Sequence, residues 1–182
     1  MKKEELGKYW RKIVKGTPAE AKVIDPASVV TAPWVRMKCK YGCDMYGREY
    51  CCPPETPTPE QTREILDCYR RAILFHYRSA RREGEDRRKT RRALIDAIVG
   101  LEGDMFKDGY YKAFALISGP CSLCAECAKS NNKPCNFGSR ARPSMESCGI
   151  DVYQTAWNNG FPIQPLRHKG ETQNLYCLVL VD

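Results

Sequence analysis

Apolar positions recur at helical spacing near the start of the chain. Leu6, Tyr9, Trp10, Ile13 and Val14 share one face, which predicts a short amphipathic helix over residues 5–15 that Gly16-Thr17-Pro18 ends. Residues 23–36 are interrupted by Pro26 and Pro33, so the Val29-Val30 and Trp34-Val35 pairs predict short extended pieces. Thr58-Pro59-Glu60 combines an N-cap, a proline at the first helical position and an acid in the first turn, predicting a helix to about residue 70. Residues 72–77 form an apolar run of strand length. Leu94, Ile98, Leu101 and Met105 then mark one long helix over residues 86–107. Residues 112–118 are a second short apolar run, ended by Gly119-Pro120. Ser144 as N-cap and Glu146 in the first turn predict a helix to residue 158, closed by Asn159-Gly160 and Pro162. Residues 175–181 are a third strand candidate. Strands mixed with helices predict an α/β or α+β architecture: one domain over residues 1–182, a small sheet with flanking helices and two cysteine-rich metal-binding loops.

Composition narrows the class. The chain is 42% hydrophobic and 29% charged, and no apolar run approaches the roughly 20 residues that cross a bilayer, so no membrane association is expected. The opening residues mix both charge signs and lack the apolar core and small-residue cleavage site of an export signal, which makes the cytoplasm the expected compartment. Thiols stay reduced there. Eleven cysteines in 182 residues therefore point to metal ligation rather than to a disulfide framework. The formal charge of +8 counts every cysteine as neutral. A [4Fe-4S] cluster with its four thiolates is a unit of charge about −2, so metal binding removes much of that excess.

The spacing of the cysteines carries the most information. Cys121-Ser122-Leu123-Cys124-Ala125-Glu126-Cys127 is CxxCxxC, with Cys135 a short way on behind Pro134. Two-residue gaps let successive thiolates wrap a compact cluster from one loop, and the fourth ligand can come from farther away, a pattern that suits a [4Fe-4S] cubane. Zinc accepts four thiolates too, but structural zinc sites usually pair two separated CxxC knuckles. In the first half, Cys39 and Cys43 form CxxxC, followed by Cys51-Cys52-Pro53-Pro54, and the intervening glycines and closing prolines predict a loop. Side chains of adjacent residues tend to point apart, so one of Cys51 and Cys52 is expected to bind and the other to pack, with Cys52 favoured. Cys39, Cys43 and Cys52 then form a three-ligand set whose fourth position is filled from elsewhere or open. Tyr46 stands where a radical S-adenosylmethionine motif needs its third cysteine, and neither His76 nor His168 lies close in sequence to a cysteine, as a Rieske centre requires. Cys68, Cys148 and Cys177 read as packing cysteines, with Cys148 close enough to Cys135 to reach its site.

Arg78, Arg81, Arg82, Arg87, Arg88, Lys89, Arg91 and Arg92 make a basic stretch. Glu83, Glu85 and Asp86 interrupt it and aromatic interleaving is sparse, which argues against nucleic acid and leaves an acidic redox partner protein as the expected user.

The chain resembles a family of predicted metal-binding proteins catalogued as domain of unknown function 2284, found largely in anaerobic archaea and bacteria. The resemblance rests on Lys38-Cys39 to Gly47, Cys52-Pro53-Pro54, Gly119-Pro120-Cys121 through Cys127, Pro134-Cys135, Arg142-Pro143-Ser144-Met145-Glu146, Gly149-Ile150-Asp151-Val152 and the closing Leu178-Val179-Leu180-Val181-Asp182. It implies ligation by Cys39, Cys43, Cys52, Cys121, Cys124, Cys127 and Cys135, and it implies no reaction. The leading expectation is an iron-sulfur protein with one or two [4Fe-4S] clusters, transferring electrons in anaerobic metabolism. Two alternatives stand beside it. One is an enzyme whose three-cysteine cluster exposes an iron to a small substrate, with Tyr41, Tyr46, Arg48 or His168 as proton or anion handlers. The other is a zinc-stabilised interaction module.

Overall fold

The computed structural model describes residues 3–14, 19–79, 84–168 and 170–182. The expected helix stop at Gly16-Thr17-Pro18 lies outside these residues, as do Arg81, Arg82 and Glu83 of the basic stretch.

The apolar run at residues 72–77 becomes strand β2 (Ala72–Ser79), which is buried from Ala72 to His76 because both of its faces are covered there. It pairs antiparallel with β1 (Ala19–Ile24) on one side and β4 (Gln173–Leu180) on the other, and β3 (Phe114–Leu116) closes the far edge against β4. The order β1-β2-β4-β3, with every pairing antiparallel, makes the domain α+β. Side chains alternate across the sheet. Ile73, Phe75, Cys177 and Val179 face one way, onto Leu6, Tyr9 of α1 (Gly7–Val14) and Ile98, Leu101 and Met105 of α4 (Gly84–Lys107). Leu74, Tyr176, Leu178 and Leu180 face the other way. They pack onto Leu66 of α3 (Pro59–Asp67), Ala156 of α5 (Val152–Asn158) and the turn holding Met145, Cys148 and Ile150. Each fully buried Leu, Ile or Phe contributes about 2 kcal/mol of transfer free energy, so the sheet is fixed from both sides before any metal is considered.

Local signals act as read at α3. The Thr58 side chain accepts from the Gln61 amide while Gln61 caps the Thr58 amide, and Pro59 occupies the first turn. Two expectations are corrected. Residues 33–42, placed among extended pieces and loop, form helix α2 (Pro33–Gly42), since Pro33 fixes the first turn and no later residue of the segment breaks it. Cys39 therefore sits on a helix and Cys43 at its C-cap. The helix expected from Ser144 is also divided, into a 3-10 turn at Glu146–Cys148 and α5, because Gly149 takes φ +76° and Asp151 caps afresh by accepting from the Gln154 amide.

A Cβ at Gly149 would lie 2.5 Å from Pro59 Cγ, in a backbone conformation side chains rarely adopt. Gly149→Ala is expected to destabilise the fold by about 2 kcal/mol or more. Urea denaturation followed by circular dichroism measures it, and a midpoint equal to that of the parent chain would refute the packing argument.

Candidate metal centre

Strand β3 delivers the second cysteine segment. Beyond Leu116 the chain is clamped at Ile117, whose amide donates to Pro143 O (2.9 Å) and whose carbonyl accepts from the Met145 amide (3.0 Å). Ile95 of α4, Ile117 and Leu123 then make a small apolar cluster, with Cys121, Phe137 and Ala141 packed against it. Arg92 of α4 reaches over the loop and donates Nε to Ser122 O (2.9 Å) and Nη2 to Leu123 O (2.7 Å). Carbonyls held this way orient the CxxC backbone, which sets where its thiols point. Cys127 precedes the 3-10 turn Ala128–Asn131, and the Lys133 amide returns to Ala128 O (3.0 Å), which brings Cys135 back to the loop. Cys121, Cys124, Cys127 and Cys135 line one cavity, together with Glu49, Tyr50 and Cys51.

Cys51 is the residue that the sequence pattern left to packing. In the loop after α2, the Gly47 amide donates to Pro53 O (2.8 Å) and the Cys52 amide to Glu49 O (3.2 Å), and both Cys51 and Cys52 are buried. Their side chains part, as neighbours' side chains tend to. The Cys51 thiol hydrogen-bonds the Cys121 sulfur and lies near Cys135. The Cys52 thiol donates to Glu49 Oε2 at 3.7 Å and feels the charges of Cys43 and Cys39. One residue of the pair thus turns toward each cysteine group. The two segments are also tied directly: Tyr50 donates its hydroxyl to Lys133 O (2.9 Å), and Lys129 pairs with Glu55 at 2.7 Å. Cys39 and Cys43 face a separate cleft of about 320 Å³, shared with Lys38, Ser118, Glu146 and Asn174.

The thiols differ in how readily they ionise. The Cys51 hydrogen bond draws the Cys121 value down to about 7, helped by the Leu123 amide, while that same bond and burial push Cys51 up. Burial, then the neighbouring Glu49 carboxylate, pushes Cys52 up to about 12. Burial is the first cause at Cys39 and Cys124 as well, with neighbouring thiolates adding to it. Cys39, Cys51, Cys52 and Cys124 thus resist ionising on their own, and a nearby cation would oppose that.

The remaining candidates fall elsewhere. Cys68 is exposed and its thiol turns to Glu64 O (3.4 Å), Cys177 is fully buried in the sheet core, and Cys148 packs among Leu66, Met145 and Ile150. Tyr41 and Tyr46 line a different cleft with Met37 and Glu60, and the His168 amide donates to Glu171. Arg91 and Arg92, read as parts of an outward stripe, are both used on the protein itself: Arg91 approaches Gly119 and Arg92 holds the CxxC loop.

Among the described residues, no three His, Cys, Asp or Glu side chains close on a common point at metal-ligand spacing. What the fold supplies is a set of soft sulfur donors collected around shared cavities. Such donors fit zinc or an iron-sulfur cluster and not a hard, oxygen-seeking cation. Thiols gathered in this way on an α+β scaffold define a cysteine-rich metal-binding class. The chain belongs to DUF2284, a family of predicted metal-binding proteins whose model matches residues 22–181. No curated protein and no solved structure matches it.

In the metal-free, reduced chain, alkylation of Cys121 by iodoacetamide is expected to be half-maximal near pH 7, since its folded value is lowered to about 7 and thiolate accumulates above it. Removing the donor in Cys51→Ala should move that midpoint up toward the ordinary thiol value of about 8.5. Peptide mass spectrometry across a pH series reads both, and an unmoved midpoint would assign the low value to another cause.

Proposed function

We propose that the chain is an iron-sulfur protein that passes single electrons, with one [4Fe-4S] cluster held by Cys121, Cys124, Cys127 and Cys135 and a second held through Cys39, Cys43 and Cys52. The observation that carries this reading is the gathering of the three CxxCxxC thiols and Cys135 around one cavity, beside a second thiol group joined to it through Cys51-Cys52. When bound, a cubane cluster supplies a reversible one-electron couple. The rest is the work of the chain's own residues. Arg92 orients the CxxC carbonyls, and its charge partly opposes the burial and neighbouring thiolates that push Cys124 up. Leu123 and Phe137 keep water from the inner side. Ala125 and Glu126, between two of the thiols, are exposed, so the outer edge of the centre reaches the surface where a redox partner docks. Exposed Lys89 on α4 suits an acidic partner, and a cytoplasmic, anaerobic setting suits reduced thiols.

A second reading, an enzyme acting at the three-cysteine centre, is favoured by the cleft in front of Cys39 and Cys43, whose Trp34, Tyr153 and Asn174 offer a wall for a small molecule.

Protein purified without oxygen is expected to hold about eight iron and eight sulfide per chain and to bleach with dithionite. Cys124→Ser should lose about half of both, and Cys68→Ser none. Loss of iron in the Cys68 variant would overturn the ligand assignment, and stoichiometric zinc without iron would overturn the redox reading.

A further inference from the structure

Three thiols leave a cubane or a tetrahedral ion one ligand short. Building on the proposed second centre, we infer that the Glu146 carboxylate is its fourth ligand, an oxygen donor beside Cys39, Cys43 and Cys52. Glu146 lines the same cleft as Cys39 and Cys43, and its charge is felt at the Cys39 thiol. Part of the residue is exposed, yet its Oε2 is closed to solvent and has no hydrogen-bond partner among the described residues. A buried carboxylate oxygen without a donor is costly, and a cation is the partner that would satisfy it.

The carboxylate is also firmly placed. Burial pushes the Glu146 carboxyl up, and hydrogen bonds from Ser144 and the Gly119 amide hold the group in place and oppose that rise. Glu146 opens a turn braced by reciprocal bonds between Ser144 and Ser147, at 2.9 and 3.0 Å. Other donors fit less well. Glu49 is engaged by the Cys52 thiol, and Cys148 faces the apolar cavity behind α3. Ser118 and Asn174 line the cleft but bring neutral oxygens, which do not balance a metal's charge. With a protein oxygen at the fourth position, the centre has no iron open to substrate, and the cleft is its approach rather than a substrate pocket.

The test uses the full chain, purified anaerobically, as the parent, Glu146→Gln, Cys39→Ser and Cys124→Ser. Glutamine keeps the shape and removes the anionic oxygen. Iron and sulfide contents are read together with the electron paramagnetic resonance of the dithionite-reduced protein, before and after adding cyanide, a small ligand for an open iron. In Glu146→Gln the signal that Cys39→Ser abolishes should vanish or become cyanide-sensitive, while in the parent it ignores cyanide. The signal that Cys124→Ser abolishes should persist unchanged, which shows that the variant has folded. A Cys39-dependent signal in Glu146→Gln that matches the parent and ignores cyanide overturns the inference. Unchanged iron in Cys39→Ser is a separate failure, that of the second centre itself, and the inference falls with it.

Discussion

Both cysteine segments are positioned by one turn, residues 144–151, and the arrangement of the site depends on its backbone hydrogen bonds. On one side it grips the exit of β3, through the bonds between Ile117 and the Pro143 and Met145 backbone. On the other it receives the start of α2: the Ala32 amide donates to Gly149 O (2.9 Å) and the Asp151 amide to Val30 O (2.8 Å). Below, the hydroxyls of Thr56 and Thr62 donate to the carbonyls of Ser147 (2.5 Å) and Cys148 (2.6 Å). A segment remote in sequence from the first cysteines thus fixes them relative to the second. Buried carbonyls left unsatisfied would each cost about 1–3 kcal/mol, so the turn cannot shift without disturbing both cysteine groups.

Around that turn the ion pairs are few but well placed. Arg142 and Glu102 form a two-pronged pair at 2.6 and 2.8 Å with both side chains largely buried, and Glu102 also accepts from the Ala115 amide. This one pair joins the middle of α4, the β3 edge and the segment entering the turn. Arg71 and Asp182 form a second such pair at the end of β4. Pairs of this geometry fix position more than they add stability.

Periodicity made the long elements legible. The apolar stripe of α4, the doubly buried run of β2 and the capping signals around Thr58 each had a single physical reading, and the fold follows all three. Only the start of the first cysteine segment was misread: its glycines suggested a loop, and Cys43 to Pro54 do form turns, whereas Pro33 starts a helix that carries Cys39 to the edge of the cleft. Gly149 divides what looked like one helix from Ser144, a break visible only once the contact with Pro59 is known. At the site, the CxxCxxC spacing and Cys135 were legible as a local pattern. Cys51 and Glu146 were not. Cys51 reaches the other group through a tertiary contact with Cys121, and Glu146 had the look of an ordinary first-turn acid. The rule that neighbouring side chains diverge did hold for Cys51 and Cys52. It predicted a parting without saying that each direction leads to thiols.

That parting has an energetic consequence. Adjacent α-carbons are about 3.8 Å apart, so the thiol groups reached from Cys51 and from Cys52 are joined by a single peptide unit whose two side chains are both buried. Negative charge added to one would be felt by the other through partly buried protein rather than through bulk water. In the two-centre reading the second reduction is then harder than the first, so the pair exchanges electrons one at a time over a spread of potentials. In that reading the molecule would act as a graded relay rather than as a two-electron store, with its two thiol groups linked by a single peptide bond.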